Sequence, residues 1–326
     1  MTPIELTQLA PGDRVEGALL VLDVEAHTPE TGNPFTTLRL GNHTGAVMTE
    51  PFWLERNGEI AGIRAGHVVQ VLGEITSYRN KRQLAVTSIR ALPDGSVDPA
   101  SLMPSVGAVD PYWETLDRWR RAIAKPRLAT VLSLFFDDDA FRAEFERCPA
   151  AVAGHHAALG GLLKHTTEVA AIARTIGRTS GADLELVLAG ALLHDIGKLD
   201  AYRWDGLFAH TEPGRLLGHV VLGVQRLDRR LAREPVPACT PRERDILLHL
   251  VLSHHGRREW GSPVPPMTLE AEVLHWADNA SAKTASMGDI IADPAGFMGD
   301  GLFSEPHWTI DRRRAYRGTS DWGVSG

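Results

Sequence analysis

Between residues 12 and 92 apolar and polar positions alternate in short runs. The segments RVEGALLVLDVEA, PFTTLRLG, GAVMTEPF, VVQVLGEITSY and QLAVTSIRAL are rich in β-branched and apolar residues, and TGN, GNHTG, RAG and RNKR punctuate them. The pattern predicts five strands, which in so short a stretch suit a small Greek-key barrel. The following stretch, DGSVDPASLMPSVGAVDP, mixes Pro, Gly, Ser and Asp without a sustained period and reads as a linker.

From Tyr112 onward the apolar residues recur every three or four positions. YWETLDRWRRAIA, RLATVLSLFF, DAFRAEFERC, GGLLKHTTEVAAIARTIG, DLELVLAGALLHDIGK, GRLLGHVVLGVQRLDRRLA, PRERDILLHLVLSHH and TLEAEVLHWADNASAKTASM all predict helices. Asp183 and Thr268 stand where N-caps belong, and Pro241 suits a first helical position. The predicted architecture is multidomain: a five-stranded barrel over residues 1–93, a linker over 94–111, an all-α bundle over 112–288 and an extension over 289–326.

Composition narrows this picture in three ways. A net charge of −7 over 326 residues excludes a chain coated in basic surface, so a nucleic-acid partner must be met by local patches. The N-terminus MTPIELTQLAPGDRVEG lacks an export signal, and no apolar run approaches the roughly 18 residues of a membrane span, so a soluble, cytoplasmic protein is expected, without a membrane partner. Cys148 and Cys239 have no metal-ligand spacing and read as reduced structural residues. The histidines, fourteen in all, concentrate between residues 155 and 275.

Their arrangement carries the chemistry. His165, the pair His194 and Asp195, then His219, the pair His254 and His255, and finally Asp278 each interrupt or end an apolar helix. One such histidine would be an ordinary core residue. Five helices carrying them, two carboxylates included, would bury charge without compensation unless something pairs with it. A metal ion does so most simply.

The order H…HD…H…HH…D resembles the HD-domain metal-dependent phosphohydrolases. By that resemblance His165, His194, Asp195 and Asp278 hold one divalent ion, and His219, His254 and His255 hold a second. Asp195 bridges the two, which a carboxylate with two oxygens can do and a neutral imidazole cannot. Mixed His and carboxylate ligation suits borderline or hard divalent ions such as Mn, Fe, Co or Zn, among which geometry has to choose, and Mn is the first expectation. Such a pair would acidify a water and stabilise a phosphoester under attack, so Asp195 is expected to be catalytic, joined by Lys198 as a contact to a phosphate oxygen. Lys283, His155 and His156 flank the constellation, while His210, His249 and His275 read as surface or core residues.

The barrel narrows the substrate. GNPFTTLRLGNHTGAV and VVQVLGEITSYRNKRQLAVTSI look like a nucleic-acid-binding OB-fold. The segments HHAALGGLLKHT, GALLHDIGK, GRLLGHVVLG, LSHHG and GSPVPPMTLEAEVLHWADN resemble the catalytic half of YhaM-type 3′-to-5′ exoribonucleases, and the likeness spans roughly residues 12–287. It implies metal-dependent release of nucleoside monophosphates from the 3′ end of single-stranded RNA, often also of single-stranded DNA, and it admits a homo-oligomer. Phe35, Phe52, Trp53 and Tyr78 are available for base stacking, with Phe35 and Tyr78 foremost, and Arg39, Arg79, Lys81 and Arg82 for phosphate. Arg257 and Arg258, after LSHHG, offer positive charge near the bundle's histidines. The first hundred residues nevertheless carry more acids than bases, unlike a typical nucleic-acid module. Two other readings stay open: hydrolysis of small nucleotides or cyclic dinucleotides, and a nonenzymatic nucleic-acid-binding regulator.

Overall fold

A computed structural model describes residues 4–318 except 31, 80, 155, 294, 295, 298 and 300. The chain divides into two compact units, residues 1–105 with 203–209, and residues 106–202 with 210–326.

The first unit is a closed barrel. Strand β1 (Arg14–His27) is long enough to pair at both ends: Arg14 to Leu20 lie opposite β5 (Val68–Tyr78), and Leu20 to His27 opposite β2 (Phe35–Asn42). A register shift between Val21 and Asp23 bends the strand as it passes from one partner to the other. β5 and β6 (Lys81–Ala91) form a hairpin, and β6 closes the barrel through a parallel pairing of its Gln83 with Met48 on β3 (Gly45–Thr49). Alternate residues point inward, so Val15, Leu19, Val21, Leu38, Leu40, Val69, Val71, Ile75 and Leu84 make the core. The segment GAVMTEPF is not one strand. It breaks before Pro51, which has no N–H for a ladder, and resumes as the two-residue β4 (Phe52–Trp53).

The second unit is helical: α1 (Asp110–Arg121), α2 (Pro126–Phe136), α3 (Asp139–Phe145), α4 (Gly161–Ser180), α5 (Leu184–Leu193), α6 (Lys198–Ala201), α7 (Glu212–Ala232), α8 (Pro241–Ser253) and α9 (Leu269–Ala292). The caps follow the sequence signals. The Asp183 carboxylate accepts from the amides of Glu185 and Leu186, the Thr268 hydroxyl from Ala271, and Thr240 with Glu243 builds a reciprocal box ahead of Pro241. α9 continues past residue 288 into the predicted extension. Its end is covered by Ile310 and Ala315, which pack with Ile290.

α5 lies at the centre, buried continuously from Val187 to Leu193 and apolar on every side. The predicted helix 183–198 stops there. His194 becomes its C-cap and α6 starts at Lys198, so HDIG is a turn between two helices. Gly197 explains the turn: a Cβ there would lie 2.0 Å from the His219 carbonyl and 2.2 Å from the Gly223 amide. α7 therefore approaches backbone to backbone. α7 itself is kinked at Gly218, whose φ of 74° and ψ of 156° fall where side-chain-bearing residues are strained.

These two glycines separate two effects. Gly197→Ala, blocked by backbone, should destabilise the protein by about 3 kcal/mol or more, whereas Gly218→Ala, with open space but strained dihedrals, should cost about 1–3 kcal/mol. Urea denaturation of both variants measures the difference, and equal midpoints would contradict it.

Candidate metal centre

Each element of the helical unit delivers its polar residue by local geometry. α5 ends on His194 and α8 ends on His254, and the two ends are built alike. His194 donates its Nδ1–H to the carbonyl of Ala191 at 2.8 Å, and His254 donates to that of Val251 at 2.7 Å. Each bond satisfies a carbonyl of the last turn and leaves Nε2 facing outward from the helix. The kink at Gly218 precedes His219, α4 supplies His165 near its start, and α9 supplies Asp278 in its middle.

The side chains meet around Asp195, which is only 2 % exposed. Its Oδ2 faces His194 Nε2 at 3.1 Å and His165 Nε2 at 3.4 Å, while Oδ1 faces His219 Nε2 at 3.4 Å and His254 Nε2 at 3.7 Å. Asp278 Oδ1 stands 3.1 Å from His165 Nε2. The donor atoms of His165, His194 and Asp195 lie within 4.8 Å of one another, as do those of His219, His254 and His255. His255 is aimed by a 2.7 Å bond from its Nδ1–H to the Trp260 carbonyl. Lys198, buried, sits 2.6 Å from Asp195 Oδ2 and also borders the open side of the site.

Charge in the cluster is redistributed by this packing. Burial alone would raise the Asp195 carboxyl, but His194 and Lys198 hold it well below its usual range. Burial likewise opposes ionisation of Asp278, which His165 keeps low. Burial works against the His165 imidazolium too, yet Asp195 and Asp278 outweigh it and lift its pKa to about 8. On the other side burial drives His219 down to about 3 and His254 well below the ordinary imidazole value. Their imidazoles are therefore neutral, the form that ligates metal. Asp195 Oδ1, His219 Nε2 and His254 Nε2 are buried and make no hydrogen bond. Converging, unsatisfied nitrogen and oxygen donors of this kind fit a divalent cation.

A relay supports the first group. His165 donates Nδ1–H to Ser281 Oγ at 3.1 Å, Ser281 donates to Glu168 at 3.0 Å, and His156 donates to the same carboxylate oxygen at 2.8 Å. Neither Glu168 nor Ser281 stood out in the sequence, although each lies one helical turn beyond a polar site residue, His165 and Asp278. His275, buried, donates to the carbonyl of His254. Lys283 bonds to Asp311 and to the Thr309 carbonyl, joining α9 to the C-terminal segment. His155 lies outside the described residues.

The remaining sequence candidates are distributed differently. Arg257 is exposed and lies over the Trp260 ring. On the barrel Tyr78 is 58 % exposed beneath the Arg79 guanidinium, with Lys81 opposite it in the hairpin. Phe35 is half-buried between His27 and Trp53, at centroid distances of 4.6 and 5.0 Å. One expectation needs correction. Phe52 is fully buried in the barrel core and cannot stack on a base. Arg82, exposed, directs its Nη1 to the carbonyls of Leu6, Thr7 and Leu9 and so pins the N-terminal segment.

The relay makes a measurable claim. Glu168→Ala should weaken divalent-metal affinity by about 10- to 100-fold, and Glu168→Gln, which keeps an acceptor for Ser281, should lose less. Calorimetric titration with Mn(II) reads both, and unchanged affinity in the alanine variant would refute the relay's role.

Comparison with known proteins agrees with this geometry. The family model described as "HD domain" matches residues 162–283, which include all the residues clustered around Asp195, and an HD domain implies divalent metal binding. The protein "3'-5' exoribonuclease YhaM" of Bacillus velezensis is 29 % identical over 313 residues, spanning 94 % of this chain and 96 % of its own. Proteins of the same name from Oceanobacillus iheyensis and Shouchella clausii are each 30 % identical, over 311 and 316 residues, and each match spans 94 % of both chains. With 30 % identity spanning 94 % of both chains, the chain belongs to the YhaM family of 3′-5′ exoribonucleases.

Proposed function

We propose that the protein removes nucleotides from the 3′ end of single-stranded RNA by metal-dependent phosphodiester hydrolysis, releasing nucleoside monophosphates, and that it accepts single-stranded DNA as well. The observation that carries this reading is Asp195, whose two oxygens face two separate groups of imidazoles. We assign two divalent ions, manganese before Fe, Co or Zn. His165, His194, Asp195 and Asp278 would hold one, and His219, His254, His255 and Asp195 the other. Bound there, such ions supply Lewis acidity toward a phosphodiester and a water acidified to near-neutral pKa.

The chain's own residues do the rest. Lys198 keeps Asp195 ionised and oriented, and from the rim of the cavity it reaches toward a phosphate oxygen. The relay through Ser281 and Glu168 fixes the His165 ring with Nε2 inward. On the barrel, Tyr78 and the Phe35 cluster offer aromatic faces for bases, while Arg79, Lys81 and Arg39 accompany the backbone. No helix among the described residues is long and apolar enough to cross a membrane. Both cysteines are free thiols, in keeping with a reducing, cytoplasmic setting.

A 5′-labelled single-stranded RNA should shorten stepwise from its 3′ end when Mn is supplied and stay intact after chelation. Asp195→Ala should lower the rate by about a thousandfold or more and reduce bound metal. Tyr78→Ala should raise KM for the polymer by about 5- to 150-fold, the value of one lost stacking contact, and leave a small phosphodiester unaffected. Intact RNA beside turnover of small phosphoesters would move the substrate to free nucleotides.

A further inference from the structure

We propose that Trp260 is the stacking subsite for the 3′-terminal nucleobase of the strand at the metal centre. The inference rests on the exonuclease reading above and adds what holds the nucleotide about to be released. A cavity of about 300 Å³ opens onto the site, and its wall includes His165, His219, His255 and Asp278 together with Trp260. The wall carries two large aromatic rings, Tyr202 and Trp260, and the indole is the more exposed of them, at 42 %. The Arg257 guanidinium lies 4.7 Å from its ring centroid, a cation–π contact that holds the ring in place.

The ring is also fixed with respect to the histidines. The Trp260 carbonyl accepts the Nδ1–H of His255 at 2.7 Å, so the residue that orients His255 is the one that presents the indole. The loop between them is tightly determined. Gly256 has a φ of 79°, and a Cβ there would fall 2.3 Å from the His275 ring. The Ser262 amide closes the loop on the Arg257 carbonyl at 3.1 Å. An enzyme that removes terminal nucleotides one at a time must grip every base alike. Stacking does so because each base has a π-face, whereas hydrogen bonds to base edges would discriminate.

The test compares a 5′-labelled RNA ending in adenosine with the same RNA ending in an abasic ribose, scoring removal of the first nucleotide. Wild type should prefer the adenosine end by about 5- to 150-fold in kcat/KM. Trp260→Ala should lose that preference by slowing only the adenosine end, and Trp260→Phe should recover most of it. Bound metal should be unchanged in both variants, since His255 is held by a backbone carbonyl. As a readout independent of turnover, an RNA ending in 2-aminopurine behind a phosphorothioate linkage should be quenched on binding wild type and Trp260→Phe but not Trp260→Ala. A wild type that removes both ends equally, or equal quenching by the alanine variant, overturns the subsite alone. A wild type that shortens neither strand overturns the exonuclease reading and the subsite with it.

Discussion

A carboxylate buried at the meeting point of five helices is the constraint on which the helical unit depends. Left without partners, Asp195 would carry the penalty of an uncompensated buried charge, about 3–5 kcal/mol when one partner of such a pair is lost. His165, His194, Lys198, His219 and His254 come from α4, the end of α5, the start of α6, α7 and the end of α8 to meet it. The architecture follows from that requirement. α5 must be apolar all round to carry Asp195 into the centre, and its neighbours must come close. Gly197 admits the backbone of α7, and Gly190 admits Leu250 and Leu274 from α8 and α9. Packing and chemistry share the same contacts here.

Much of this was legible as pattern. Alternation marked the barrel strands, and Asp183, Pro241 and Thr268 marked helix starts, because capping is a local matter settled by neighbouring residues. The helix break after Leu193 was not legible. Ile196 and Leu199 continue the apolar spacing of α5, and the chain turns because of Gly197 and its close approach to α7, a contact between distant segments. The tie from Arg82 was hidden for the same reason: a basic residue beside a turn does not reveal that three carbonyls some seventy residues earlier await its Nη1. Trp260 lies in a loop without periodicity, and nothing local distinguishes its indole from other exposed aromatics. Glu168 and Ser281 are different, since one-turn spacing from His165 and Asp278 is a signal that a sequence can carry.

The barrel shows how a net acidic module limits its own interactions. Arg56 is bound to Glu59 and to the Val86 carbonyl, and Arg82 to the N-terminal segment. Tyr78 and Trp53 leave aromatic surface exposed beside the remaining basic residues. A strand held on such a face would displace few counterions and rely on stacking, so salt would weaken its hold less than it does for a basic groove.

The two helices that end on His194 and His254 have one more consequence. Aligned peptide dipoles leave about half a unit of negative charge at the C-terminal end of a helix, and α5 and α8 both direct that end at the same pocket. The backbone alone therefore gives the pocket a potential that attracts cations and repels phosphates. Lys198 answers part of that potential from within the pocket, and a divalent cation held among the imidazoles would answer the rest for an approaching anionic strand.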